Sequence, residues 1–382
     1  MNTLSFIFAA IGYIILSLFL FISYPRSWRT NRKFVCVLIL WHVLGASSVI
    51  TIFTGFSKIP YENIRYEITR IGTCYYVMTT IMAILFFFRL ISHRTYQFVA
   101  RRTGKKIRPQ GSRRVSDKQT HCLVFIAVAF GVFAAGYFNI DFIHLTEYDV
   151  SVSAASAEDS LDICLISDLH AGSGMWGYDY DGLADQINRA DADVILIAGD
   201  VFDETTNETD IKNVARIFEG IKKPRCGIYY VYGNHDSNID DWAAERMREM
   251  GVNVLKDEIA VIGEDIQLLG RLDPKYGALD MDELIEKTKP DPDKPILVLA
   301  HRPLQFKKMS ALGCDLAMAG HTHGFNIPQF LGSNILEDMY YGIKEYGDMT
   351  AITSSGVSAW GYHYKWPAIS EVVKIHLTFN KG

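Results

Sequence analysis

Acidic side chains are nearly missing from the first third of this 382-residue chain. Residues 1–121 hold 17 Lys and Arg but only 3 Asp and Glu, a net of +14. The remainder holds 21 against 40, a net of −19, so the overall −5 hides two regions with different surroundings. Cysteine is scarce too, at six with no CxxC pair. Cys36, Cys74 and Cys122 fall in apolar N-terminal segments, and Cys164, Cys226 and Cys314 in apparent core strands. They read as small buried apolar residues and declare no redox compartment. The chain has no internal repeat and no low-complexity tract. The acidic C-terminal region lacks the basic footprint that a polyanion needs, which argues against nucleic acid as a partner.

Apolar residues are what the chain has in plenty: 49% of residues are hydrophobic and 13% aromatic. Roughly 20 apolar residues cross a hydrocarbon core, and four runs approach that length: residues 4–24, 34–56, 73–92 and 122–138. The first has no basic n-region and is followed by Pro25 and Arg26 rather than a cleavage site, so it reads as an uncleaved span. His42, in the second run, reads as a helix-packing imidazole. The runs show one terminal Arg and one His and no network of intramembrane charge, which disfavours a transporter. Residues 25–33 carry four basic residues, and residues 93–121 carry nine. Basic loops stay in the cytoplasm. The expected architecture is therefore an N-terminal all-α transmembrane bundle over residues 1–140, a connector over 141–160, and a separate domain over 161–382 on the extracytoplasmic side of the plasma membrane.

That domain is organised around Leu161-Asp-Ile-Cys-Leu-Ile-Ser-Asp168-Leu-His170, an apolar run ending in a carboxylate and an imidazole. A short apolar run bounded by polar residues reads as a buried strand, and residues i and i+2 share a face on extended chain. Four later runs end the same way. Residues 193–199 lead to Asp200 and Asp203, and residues 227–233 to Asn234, His235 and Asp236. Residues 295–300 lead to His301, and residues 314–320 to His321 and His323. Open α/β sheets bind ligands at the carboxyl ends of their strands. Helices are expected over 180–190, 210–221, 240–250 and 280–288, a hairpin over 257–269, and a closing strand over 371–379.

Asp168, His170, Asp200, Asn234, His301, His321 and His323 offer carboxylate, amide and imidazole donors. This mixture suits Mn, Fe or Zn better than Mg or Ca. Seven ligands exceed what one ion takes from protein and suffice for two if one carboxylate bridges. Such a pair can clamp a phosphoryl group and turn a bridging water into hydroxide.

The motifs Asp168-Leu-His170, Gly199-Asp200-x-x-Asp203, Gly233-Asn234-His235-Asp236, Ala300-His301 and Gly320-His321-Thr-His323 resemble, in order, the signature of calcineurin-like metallophosphoesterases. The resemblance implies a four-layer αββα sandwich with two mixed sheets. It implies a first divalent ion on Asp168, His170 and His323, a second on Asn234, His301 and His321, and Asp200 bridging them. His235 would then protonate the leaving group, Asp203 would orient His235, and Asp236 would stabilise its loop. The tethered arrangement also resembles a bacterial membrane subgroup that includes UDP-diacylglucosamine hydrolase-type enzymes. The departure is Gly324-Phe325-Asn326 after the last histidine. It puts Phe325 forward as an aromatic wall of the substrate site, and Lys365 stands in the late loop as a candidate phosphate contact.

The expected function is metal-dependent hydrolysis of a phosphodiester, pyrophosphate or phosphomonoester by attack of metal-bound hydroxide. Membrane lipids are the expected neighbours and a lipid-linked phosphoester the expected substrate. The alternatives are a membrane sensor or scaffold, or a nuclease-like phosphodiesterase.

Overall fold

The computed structural model describes residues 15–54, 62–103, 115–173, 180–236, 241–325 and 337–380. The chain divides into two units. One comprises Met1–Gly55 and Asn63–Ala135; the other comprises Phe56–Glu62 and Gly136–Gly382.

The first unit is helical. Residues 15–23 form α1, and α2 (Arg32–Thr54), α3 (Glu62–Arg102) and α4 (Val115–Asn139) follow. Gly45 of α2 lacks a side chain where the Tyr75 ring of α3 lies; a Cβ there would sit 2.0 Å from that ring. His42 accompanies this contact with Nδ1 2.9 Å from the Tyr75 hydroxyl, as a packing imidazole. The outer surface of α2 and α3 leaves Val37, Ile39, Leu40, Phe87 and Phe88 exposed. Among the described residues, Glu67–Arg102 and Lys118–Asn139 are long and apolar enough to cross a membrane. They contain the third and fourth expected runs. Residues 4–14 of the first run, and residues 55–56 at the end of the second, lie outside the described residues.

One expectation changes here. Residues 62–72 and 93–102, expected as loops, are continuous with α3, which is 41 residues long. At 1.5 Å per residue α3 is about 60 Å long, roughly twice the hydrocarbon thickness. Charged residues do not stop a helix, and good helix formers such as Arg and Glu carry it beyond the apolar run.

The second unit is built on two six-stranded sheets, each mixed in direction. Their orders are β1-β12-β2-β3-β4-β5, with β1 spanning Ile143–Val152, and β10-β11-β9-β8-β7-β6. In the first, β2 (Ser160–Ile166), β3 (Val194–Ile197), β4 (Ile228–Val231) and β5 (Asn253–Leu255) run parallel, and β12 (Ser370–Phe379) is antiparallel to β2. In the second, β7 (Ile266–Gly270), β8 (Ile296–Leu299), β9 (Leu316–Ala319) and β11 (Met349–Thr353) run parallel. Its edges are β6 (Glu258–Ile262) and β10 (Gly342–Tyr346), both antiparallel to their neighbours.

Three apolar clusters give the layer order. Alternate residues of a strand face opposite sides, so Cys164 and Ile166 of β2 join one cluster while Ile163 and Leu165 join another. The outer face of the first sheet packs on α5 (Tyr180–Arg189), α6 (Glu208–Gly220) and α7 (Trp242–Glu249) through Leu183, Ile187, Val214, Ile217 and Met247. The inner faces meet through Leu165, Leu196, Leu268, Leu297 and Leu316. The outer face of the second sheet packs on α8 (Met281–Thr288) and α9 (Phe306–Ala311) through Met281, Leu284, Phe306 and Met309. The layers therefore run helix, sheet, sheet, helix. Local signals agree: α6 and α8 both begin with capping boxes, Asn207 with Asp210 and Asp280 with Glu283.

Residues 141–160, expected as a connector, contribute a strand instead. Ile143–Val152 (β1) pairs in parallel with the whole of β12 from Ser370 to Phe379. Only its last residues are deeply buried, and as an edge strand it lacks the continuous apolar run that marks β2 or β3.

Candidate metal centre

The carboxyl ends of β2, β3, β4, β8 and β9 converge, so both sheets deliver side chains to one place. Backbone bonds bring the loops together. Asp168 N–H donates to Gly199 O at 3.1 Å, His170 N–H to Asp200 O at 2.9 Å, and Gly320 N–H to His301 O at 2.9 Å. Asp168, His170, Asp200, His321 and His323 all hold positive φ, between 49° and 73°. That conformation is uncommon for residues with a Cβ, and tertiary structure must impose it. Space is equally tight: a Cβ on Gly233 would lie 2.1 Å from Asp200 Oδ1, and one on Gly320 would lie 2.6 Å from Asp168 Oδ2.

Two groups of donor atoms result, and each could hold a metal ion: Asp168 with His170 and His323, and Asp200 with His301 and His321. In the first, Asp168 Oδ1 lies 3.8 Å from both His170 Nε2 and His323 Nε2. In the second, His301 Nε2 lies 3.0 Å from Asn234 Oδ1 and 3.0 Å from His321 Nδ1. One atom faces both groups. Asp200 Oδ2 is 3.2 Å from His301 Nε2 and 3.7 Å from His170 Nε2. All seven residues expected as ligands are thus brought together.

Their outer contacts leave the converging atoms available. His301 Nδ1 sits 2.7 Å from Ala198 O and His323 Nδ1 3.3 Å from Ser358 O, so each Nδ1–H donates outward and Nε2 keeps its lone pair. Asp200 Oδ1 accepts from His235 N–H at 2.7 Å, and Asp168 Oδ2 from His321 N–H at 3.0 Å. Asp168 Oδ1 and both ring nitrogens of His170 are buried with no hydrogen-bond partner. Buried polar atoms are rarely left so, and carboxylate and imidazole atoms converging on one point fit a divalent cation. Burial holds the pKa of His170 and His321 well below the ordinary histidine value and takes His323 down to about 4. Neutral imidazole is the ligating form. Burial also opposes charge on His301, but Asp200 beside it raises the pKa to about 10, so this carboxylate favours a cation next to it.

Asp236 accepts from the backbone N–H groups of Asp200, Phe202 and Gly233 at 2.6, 2.9 and 2.7 Å, stitching the second loop to the third. His235 departs from expectation. Its Nδ1 lies 2.9 Å from both carboxylate oxygens of Glu204, not against Asp203. Asp203 is buried and already accepts four bonds: from Ser173 N–H and Oγ–H at 2.9 and 2.6 Å, and from Thr205 N–H and Oγ1–H at 2.7 and 2.6 Å. A carboxylate has about four acceptor positions, so none is left for a histidine. Trp360 stacks on the His235 ring, with centroids 4.9 Å apart and planes at 30°. Burial disfavours the imidazolium of His235, but Glu204 and Asp200 outweigh it and raise the pKa above the ordinary value.

Lys365 also departs from expectation. It is fully buried, and Nζ donates to the carbonyls of Ser355, Gly356 and Ser358 at 2.6, 2.6 and 2.7 Å. All three ammonium protons are used, so Lys365 fastens the loop behind Asp168 and has none to offer a phosphate. Phe325 closes a described segment, and its side chain lies outside the described residues. Sequence reasoning noted Trp360 only as part of an aromatic cluster in the late loop and passed over Glu204 and Glu337. The last is half-buried, its side chain 4% exposed, with Oε1 3.7 Å from His321 Nε2. An acidic residue beside Asp203 was the signal available for Glu204.

The Calcineurin-like phosphoesterase family matches residues 161–325. An uncharacterized metallophosphoesterase of Helicobacter pylori is 27% identical over 276 residues, covering 70% of this chain and 72% of its own. A transmembrane protein with metallophosphoesterase domain from Bos taurus is 26% identical over 242 residues, covering 57% and 53% respectively. Phosphodiesterase YaeI of Escherichia coli is 28% identical over 187 residues, covering 44% and 64%. The chain thus spans between about half and three quarters of the length of these relatives. The bovine relative's name and the two long apolar helices both point to membrane association. Residues 161–325 belong to the calcineurin-like phosphoesterases, and the chain carries the domain of a metal-dependent phosphoesterase.

Proposed function

We propose that this protein is a membrane-anchored phosphoesterase working with two divalent ions of the Mn, Fe or Zn type. Asp168, His170 and His323 would hold one ion and Asn234, His301 and His321 the other, with Asp200 between the two groups. The observation that carries this reading is the position of Asp200 Oδ2, within 3.2 Å of one imidazole group and 3.7 Å of the other. When bound, two such ions polarise a phosphoryl group and make water nucleophilic near neutral pH.

The protein's own part is to orient and to move a proton. The loops after β2, β3, β4, β8 and β9 hold the donor atoms on backbone tied together by hydrogen bonds from loop to loop. His235 is joined to Asp200 through its backbone N–H, which sets its ring beside His170, centroid to centroid 5.3 Å. We assign it the proton that the leaving alkoxide takes up as the phosphorus–oxygen bond breaks.

The two-sheet domain, from β1 onward, acts on the extracytoplasmic side, on a phosphoester presented at the membrane, with four spans within residues 1–140. Support comes from the charge split along the chain, since basic loops stay in the cytoplasm and an acidic domain suits no polyanion. The relative named a phosphodiesterase makes a diester the first bond to try. The test is hydrolysis of bis-p-nitrophenyl phosphate by detergent-purified protein with added Mn, beside Asp200→Asn. Metal-dependent turnover that falls by at least ~100-fold in the variant is expected. Turnover that persists in the variant, or that needs no metal, contradicts the reading.

A further inference from the structure

We infer that Glu204, not Asp203, is the positioning residue of the proton donor His235, and that Trp360 holds the opposite constraint by stacking on its ring. This rests on the role proposed for His235 above.

Geometry distinguishes the two neighbouring carboxylates. Glu204 places both oxygens 2.9 Å from His235 Nδ1. Asp203 spends its acceptor capacity on Ser173 and Thr205. Its bond to Ser173 has a further consequence, because Ser173 Oγ accepts from Gly361 N–H at 3.0 Å. Asp203 therefore fixes the segment that carries Trp360, while Glu204 fixes the imidazole directly. The ring is held from three sides: Glu204 at Nδ1, Trp360 across its face at 4.9 Å, and His170 edge-on at 5.3 Å.

An imidazole that donates Nδ1–H to a carboxylate has its other nitrogen, Nε2, on the far edge of the ring. Nε2–H is then the proton to transfer. When the bond from phosphorus to the leaving oxygen breaks, that oxygen takes the Nε2 proton. The ring becomes neutral and keeps Nδ1–H on Glu204. Glu204 fixes the ring angle and the tautomer through the whole step; a water oxygen forms the new bond to phosphorus as the leaving oxygen departs, and the proton that water sheds replaces the one His235 gives up.

A leaving-group series separates this from a structural role. The substrates are aryl methyl phosphates from phenyl to p-nitrophenyl, and the variants are Glu204→Gln, Asp203→Asn and His235→Ala in the full-length, metal-loaded protein. A good leaving group needs no proton, and a poor one does. Glu204→Gln is expected to lower kcat about 10- to 100-fold on the phenyl ester, with little change on the p-nitrophenyl ester or in KM. His235→Ala is expected to show the same trend more steeply. Asp203→Asn is expected to lower thermal stability and, acting only through the segment that carries Trp360, to steepen the dependence on leaving group less than Glu204→Gln does. A dependence in Asp203→Asn as steep as or steeper than in Glu204→Gln, or a wild-type dependence in Glu204→Gln beside a steep one in His235→Ala, overturns the assignment of Glu204. A wild-type dependence in His235→Ala overturns the role of His235 itself. A readout independent of turnover is the Nδ1–H resonance of His235 in zinc-loaded, 15N-histidine-labelled protein. It is expected to be protected in wild type and Asp203→Asn and lost in Glu204→Ala, which removes the acceptor; its survival in Glu204→Ala contradicts the inference.

Discussion

The chemistry of this protein is decided by single atoms whose placement costs the backbone its ordinary conformation. Five of the candidate ligands sit at positive φ, where each residue with a Cβ is strained. That strain persists because neighbouring loops bond across it, as Asp168 and His170 do to the loop of Asp200. Gly233 shows how little slack remains. Its missing side chain is the space that Asp200 Oδ1 occupies, 2.1 Å from where a Cβ would stand. Gly233→Ala should displace Asp200 and lower turnover by about 100-fold, since an ångström of misplacement costs that much, with the protein still folded by circular dichroism. Turnover within a few-fold of wild type would show that Asp200 is not held as described. At this scale the sequence was informative about which residue types gather and silent about partners. Asp168, His170, Asp200, Asn234, His301, His321 and His323 each follow an apolar run, and all converge. Whether Asp203 or Glu204 turns toward His235 depends on the path of one loop. The fate of Lys365 depends on three carbonyls that no side-chain pattern announces.

Among the elements, those with a strong apolar signal were legible and the half-exposed ones were not. The five runs that end in ligands are β2, β3, β4, β8 and β9, fully buried in β3, β8 and β9, mostly so in β2, and buried in the last two residues of β4. The hairpin of β6 and β7 and the closing strand β12 were legible from alternation and turn chemistry. The strand β1 escaped because it is an edge strand with mixed burial, and β10 because three of its five residues are exposed. Helix α3 was legible as a span but not in extent, since its charged ends read as loop. If Lys118–Asn139 and Glu67–Arg102 cross a bilayer, the protein should stay in the membrane pellet through alkaline carbonate washing. Release into the supernatant would mean that these helices serve as a docking or packing surface instead.

For the whole molecule, the opposition between a basic N-terminal region and an acidic remainder agrees with the division into a helical unit and a two-sheet unit. The boundary drawn from sequence at 160 falls one strand late, because β1 belongs to the sheet of the second unit. The architecture also explains why the site needs both halves of that unit. Asp168, His170, Asp200 and Asn234 follow strands of one sheet, and His301, His321 and His323 follow strands of the other. Neither sheet alone supplies a complete donor group, because Asp168 and His170 from the first sheet meet His323 from the second, and Asn234 and Asp200 from the first meet His301 and His321 from the second.

The central claim is that two ions share Asp200, and counting metal per chain tests it most directly. Purified protein loaded with Mn or Zn and freed of excess should carry two ions, His323→Ala and His301→Ala one each, and Asp200→Ala fewer than either single-site variant. One ion in the wild type, or two undiminished in Asp200→Ala, would contradict the account.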